Sequence, residues 1–169
     1  MNLQNKIKKL FETSNLSKPQ IITNPNLPDM EIENDLCGKD LFELEKDTIR
    51  ILSTDLTIFN NDAFRYYLPQ FIYFCDISTE FVIEDMFIQT FFRSNLLNEN
   101  TERFLQFKHN EKNIVVHFLD KIYNNICKIT QTKQYKILSI WEQECILVPF
   151  KEYELEIKDA IKFWKNNNE

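Results

Sequence analysis

The chain has 169 residues and a formal net charge of −6, and 43% of its residues are apolar. A chain of this length forms a single domain that buries a core without help from disulfides or metal. Its one glycine, Gly38, excludes the glycine-rich phosphate loops of dinucleotide and P-loop sites and disfavours strand-rich folds with many tight turns.

The first predicted helix covers residues 3–11, where apolar side chains recur at helical spacing and lysines occupy the outer face. A loop with three prolines follows. Residues 29–37 are predicted to form a short acidic helix that ends at Gly38, because glycine is the preferred residue just beyond a helix C-terminus.

A capping box predicts the next helix. Asp40 and Glu43 have the required spacing, and the apolar pattern after them predicts a helix over 41–52. Residues 60–62 offer another N-cap. Apolar side chains then recur at helical spacing between residues 64 and 75, which predicts a further helix.

The second half of the chain is also helical in pattern. Residues 80–93 are apolar on nearly every face, as expected of a central helix or one that a partner covers. A stripe through Ile137, Trp141, Cys145 and Val148 predicts a helix that stops before Pro149. The other predicted helices are 103–107, 110–126 and 151–165. The pattern predicts an all-α fold, a single domain over 1–169 of six to eight packed helices, with 166–169 as a frayed tail.

The stretch L-T-I-F-N-N-D-A-F-R-Y-Y-L-P over 56–69 carries a resemblance. It is similar to the hallmark of a family of small bacterial proteins of unknown function, approximately L-x-F-L-x-x-x-A-F-R-[FY]-Y-L-P-A-[FY]. The G-K-D-L step at 38–41 and the closing A-I-K-F-W at 160–164 extend the resemblance over most of the chain. The family brings no established activity, and it implies a role in immunity against toxins for some members.

This chain departs from the family pattern at two places. Gln70 stands where the family usually has alanine, and Glu111 and Lys112 stand near the start of the long helix, where the family often has glutamine.

Residues that carry catalysis or bind metal are sparse. His109 and His117 are the only histidines, and on one helix they lie about 12 Å apart, too far to share a metal ion. The four cysteines have no CxxC spacing, and each lies in an apolar or helical context, where a free cysteine behaves as a small hydrophobe. No serine lies in a nucleophile elbow. We expect no catalytic residues, no metal, no cofactor and no enzymatic activity.

Negative charge is concentrated in residues 29–62, which hold ten acids against three bases. Such a segment favours a basic partner, although acids of this kind also coat solvated helix faces. The predicted partner-binding acids are Glu33, Asp35, Glu43 and Asp47. The acidic balance of the whole chain argues against nucleic acid as a partner.

Arg65 and Tyr66 are the other candidate binding residues, because they fall off the apolar stripe of their helix. Arg65 could anchor an anion or a partner, with Tyr66 adding an amphipathic contact. Alternatively, Arg65 pairs internally with a carboxylate such as Asp62 or with carbonyls freed by Pro69, since a buried arginine must be paired.

The N-terminal sequence lacks the apolar core of a secretory signal, and no apolar run approaches the roughly 20 residues that cross a bilayer. We therefore expect a cytoplasmic protein without a membrane partner. The favoured function is that of an immunity protein that neutralises a basic toxin by direct occlusion. The alternative is a small enzyme or ligand-binding regulator with a pocket beside Arg65.

Overall fold

The computed structural model describes residues 2–14, 16–40, 42–52, 55–77, 90–91, 101–129 and 131–166. Within these ranges the fold is all-α, as predicted, with eight α-helices and a 3₁₀ turn at Leu56–Ile58. The one β-type pairing in the described ranges is an isolated antiparallel bridge between Thr23 and Phe59. The helices are α1 Leu3–Thr13, α2 Met30–Leu36, α3 Lys46–Leu52, α4 Asn61–Ile77, α5 Thr101–Leu105, α6 His109–Ile129, α7 Lys133–Lys136 and α8 Ile140–Asn166.

The ends of the early helices follow from local capping. The Asp29 carboxylate accepts the N–H groups of Glu31 and Ile32 at the start of α2. Beyond the end of α2, Gly38 takes the left-handed backbone conformation (φ +77°) that other residues avoid. The short acidic helix and its glycine stop are therefore confirmed.

The start of α3 differs from the prediction. The expected helix over 41–52 begins only at Lys46. The N–H of Asp40 does donate to the Glu43 carboxylate at 2.7 Å, so half of the predicted capping box is present.

Phe42 explains why the helix starts late. Its backbone is left-handed (φ +71°), which no helix accommodates. Its ring packs edge-on against Phe11 and Tyr73, with centroids 6.0 and 5.0 Å away. Burying this ring between two others compensates for the strained backbone.

The core is built around α4, which packs against α1, α3, α5 and α6, while α8 lies along α6. Trp164, 1% exposed, is surrounded by the rings of Phe91, Phe104 and Phe107. The predicted stripes of α1 and α6 and the C-terminal stripe of α8 supply buried residues to this core.

Arg103 positions the chain just before α4. From α5, its buried guanidinium donates to the carbonyls of Leu56, Thr57 and Phe59, the last at 2.6 Å. Burial lowers the pKa of Arg103, and the three carbonyls give its two Nη atoms the polar partners that buried donors require.

The prediction that a helix stops before Pro149 is wrong. Helix α8 runs without interruption from Ile140 to Asn166. A proline inside a helix costs about 3 kcal/mol. Packing of α8 along α6 offsets that cost, because Ile157 and Ala160 are fully buried.

The first residue of that predicted stripe, Ile137, lies before the start of α8. The side chains of Ile137 and Trp141 are 82% and 73% exposed. The side chains of Cys145 and Val148 lie outside the described residues. The apolar segment 80–93 also lies outside them, apart from Thr90 and Phe91, which are buried. The same is true of residues 167–169 of the predicted tail. No helix in the described ranges is long and apolar enough to cross a membrane.

Candidate functional site

Arg65 is held in place by an internal ion pair. Its Nε and Nη2 atoms donate to the two oxygens of Glu111 at 3.0 and 2.9 Å. Glu111 is buried, and it also accepts the backbone N–H of Lys108 at 2.7 Å. The alternative in which Arg65 pairs internally with a carboxylate is confirmed, but that carboxylate belongs to Glu111 and not to Asp62.

Glu111 was missed because sequence offers no signal for a pairing across 46 positions. The only sequence signal at this position was its departure from the glutamine that the resembled family often has there.

Tyr66 is buried, whereas the sequence predicted that it adds a contact with a binding partner. It is 6% exposed, and its ring lies edge-on to that of Tyr67 with 4.9 Å between centroids. Tyr67 in turn donates its hydroxyl hydrogen to the carbonyl of Leu36 at 3.0 Å, and burial raises the pKa of that hydroxyl. The two tyrosines therefore connect α4 with the end of α2.

A cleft of about 620 Å³ lies beside Arg65. One wall is the loop over residues 16–21 and the other is the start of α4. The lining residues are Leu16, Ser17, Lys18, Pro19, Gln20, Ile21, Asn60, Asp62, Arg65, Tyr66 and Lys108.

Hydrogen bonds hold the loop wall in position. Lys18 donates to the carboxylate of Asp40 at 2.7 Å and to the carbonyl of Gly38. The hydrogen bond to Asp40 raises the pKa of Lys18. At the other end of the loop, the Asn60 amide donates to the carbonyl of Ile21 at 2.5 Å. The cleft is thus preformed rather than assembled from a free loop.

The charges that line the cleft are mainly positive. Lys18, Arg65 and Lys108 face one carboxylate in the lining, that of Asp62. Asp40 and Glu111 already neutralise Lys18 and Arg65. Lys108 is exposed at the rim, where its ammonium group is accessible to a small anion.

Glu33 supports the fold instead of facing a partner. Its carboxylate accepts the N–H of Ile22 at 3.0 Å, and the N–H and hydroxyl of Thr23 at 2.7 Å each. Burial opposes ionisation, but these hydrogen bonds outweigh it and lower the pKa of Glu33. Glu33 is therefore a structural clamp between α2 and the 22–23 segment, so this predicted partner-binding acid has its carboxylate engaged within the fold.

The other predicted acids lie on the surface. Asp35 on α2, Glu43 before α3 and Asp47 in the first turn of α3 are all exposed. We call these three residues the acidic surface. Glu31 and Glu45 are exposed in the same stretch of chain.

Neither histidine lines the cleft or belongs to the acidic surface. His117 on α6 has its Nδ1 atom 3.1 Å from the Nζ atom of Lys6, and burial together with that ammonium lowers the pKa of His117. His109 is exposed at the start of α6. In the described part of the chain no group of three or more His, Cys, Asp or Glu residues could hold a metal ion.

The three cysteines whose side chains the structure describes differ in exposure. Burial raises the pKa of Cys75 to about 12, which makes its thiol unreactive. Cys37 and Cys127 are free and exposed, so these two are not packed into the core as small hydrophobes. Cys37 is exposed because it lies at the end of the short helix α2, where only Ile32 and Leu36 turn inward.

No family model, curated protein or solved structure matches this chain. The resemblance to the bacterial family therefore stays a prediction that depends only on the sequence motifs at 56–69, 38–41 and 160–164.

Proposed function

We propose that this protein is a binding protein that occludes a basic protein partner, with the acidic surface as its docking face. The observation that carries the proposal is the exposure of Asp35, Glu43 and Asp47, in the most acidic segment of the chain. All three residues are exposed, whereas Glu33 is half-buried and hydrogen-bonded to the 22–23 segment.

The physical basis is electrostatic steering. Like charges in one stretch of surface raise the rate of encounter with a partner of opposite charge, and salt screens that effect. Two exposed apolar side chains in the same segment, Met30 and Ile51, would add contact area after encounter. A cognate toxin in the cytoplasm is the basic partner that the family resemblance favours.

The test uses the product of an adjacent gene, co-expressed with the full chain and measured by surface plasmon resonance. The variant Asp35→Lys/Asp47→Lys is expected to slow association about tenfold at low salt. The matched control Glu12→Lys/Asp159→Lys makes the same charge change at exposed sites on α1 and α8 and should leave association nearly unchanged. Glu43→Lys is measured alone, because Glu43 also accepts the N–H of Asp40.

Equal association rates for the variant and its control would exclude the acidic surface as the interface. If no adjacent gene product binds at all, the proposal of an immunity protein fails.

A second candidate function is supported by the cleft beside Arg65. Its volume of about 620 Å³ is suitable for a small metabolite, and the exposed ammonium group of Lys108 favours an anionic one. This is the ligand-binding alternative, and it needs no basic partner.

Thermal shift measurements with small dicarboxylates and phosphate esters test this candidate. Lys108→Ala should remove any ligand-induced rise in Tm, while the exposed control Lys162→Ala should retain it. Arg65 is left intact because Glu111 depends on it. The absence of any shift across both ligand classes would argue against this second candidate.

A further inference from the structure

Three large apolar side chains are exposed together where α7 meets α8. Ile137, Ile140 and Trp141 are 82%, 77% and 73% exposed, and they lie within five consecutive positions. Single exposed apolar residues are ordinary in soluble proteins, but a contiguous group of large ones marks an interaction site.

The turn that exposes these side chains is well ordered by hydrogen bonds. The Thr132 hydroxyl accepts the N–H of Tyr135 at 3.1 Å and caps α7, and Tyr135 is buried as an anchor. Ser139 and Glu142 form a reciprocal capping box at the start of α8, with hydrogen bonds of 2.8 and 3.3 Å.

Gln143 completes this bracing by donating to the carbonyl of Leu138 at 2.9 Å. The exposed apolar side chains therefore lie on a turn that hydrogen bonds hold in place, and not at a frayed helix end.

The charge around the turn is positive. Residues 121–144 contain four lysines and two acids, Glu142 and Glu144, whereas the whole chain has a net charge of −6. Lys128 at the end of α6, and Lys133 and Lys136 on α7, are exposed. We call these three lysines, together with Ile137, Ile140 and Trp141, the basic–apolar corner.

We infer that the basic–apolar corner docks on the surface of an anionic lipid membrane. Tryptophan and isoleucine side chains enter the boundary between headgroups and acyl chains, and flanking lysines contact the anionic headgroups with their apolar stems partly buried. The complementarity of charge, combined with apolar side chains at the tip of a turn, is what selects this occupant.

A second copy of the chain fits the corner less well. A symmetric contact would bring the lysines of one corner against the same lysines of the other, and like charges oppose such a contact. The inference is independent of the proposed function, because the acidic surface and the corner are on different helices. It departs from the expectation of no membrane partner, which rested on the lack of a membrane-spanning segment.

The test uses the full chain and vesicles of phosphatidylcholine, with or without phosphatidylglycerol. Co-sedimentation should occur with the anionic vesicles only and should weaken as salt rises. Trp141 reports the contact directly, because its fluorescence should shift to the blue on entering the interface while Trp164 is already buried.

Variants identify the residues responsible. Lys133→Ala/Lys136→Ala should lower vesicle affinity about 25-fold, or about fivefold per lysine. The matched control Lys9→Ala/Lys162→Ala removes two exposed lysines elsewhere and should change affinity little. Trp141→Phe should keep binding but abolish the blue shift, which assigns that signal to Trp141.

Binding to neither kind of vesicle, or equal binding to both, overturns the inference. A blue shift of Trp141 that grows with protein concentration in the absence of vesicles would place a second copy on the corner, and it overturns the inference as well. Tm measurements on each variant confirm that a loss of binding does not reflect unfolding.

Discussion

Arg65 in the second turn of α4 and Glu111 in the first turn of α6 are joined by two parallel hydrogen bonds of 3.0 and 2.9 Å. The Glu111 side chain is 2% exposed and that of Arg65 20% exposed, so the pair is shielded mainly on the carboxylate side. Two-point pairing of this kind fixes the direction of both side chains. Because Arg65 and Lys108 line the cleft, Glu111 also fixes one edge of it.

Glu111→Ala is expected to lower the free energy of unfolding by about 3 kcal/mol, because it leaves Arg65 without its carboxylate and the Lys108 N–H without an acceptor. Urea denaturation measures the loss. The double variant Arg65→Met/Glu111→Leu should recover much of it, since an apolar pair carries no unpaired charge. A loss below about 1 kcal/mol for Glu111→Ala would show that the pair is solvated.

Glu33 is expected to make stability depend on acid pH. Its hydrogen bonds from Ile22 and Thr23 hold its pKa below the ordinary value in the folded state. A lowered folded pKa contributes stability that is present above the unfolded pKa and lost as pH falls through the folded pKa. Urea midpoints should therefore fall as pH drops below the ordinary glutamate pKa.

The variant Glu33→Gln should weaken that acid dependence, while Asp35→Asn, a change at an exposed neighbour, should leave it as in the wild type. Parallel pH profiles for the wild type and Glu33→Gln would contradict the clamp.

Gln70 is expected to be a destabilising residue. It is 0% exposed, and neither atom of its side-chain amide has a hydrogen-bond partner among the described residues. An unsatisfied buried amide costs about 1–3 kcal/mol. Gln70→Met, which keeps the side-chain length, should raise the urea midpoint. A fall in stability of more than about 1 kcal/mol would show instead that the amide has a partner.

The same substitution at the two tryptophans should change stability by very different amounts. Trp164→Ala deletes a ring packed between Phe91, Phe104 and Phe107 and should cost about 3–5 kcal/mol. Trp141→Ala removes an exposed ring from the same helix and should change stability by no more than about 0.5 kcal/mol. Thermal unfolding of the two variants in parallel checks both values, and similar losses would mean that Trp141 is also buried.

Local signals in the sequence determined the helical class and most of the helix bounds. Helices α1, α2 and α6 have clear apolar periodicity, and the caps at Asp29 and Asn60 act on residues two or three positions away. Such interactions lie within one helical turn, so the order of residues is enough to predict them. The acidic character of residues 29–62 was equally visible from sequence alone.

Tertiary packing decided the rest, because it joins residues that are far apart in the chain. Phe42 delays α3 because of rings on α1 and α4, and Pro149 is tolerated inside α8 because that helix packs along α6. In the same way, contacts across 10 and 46 positions turned Glu33 inward and gave Arg65 its partner. Periodicity shows which residues share a face of a helix, but only the packed chain shows whether that face is covered.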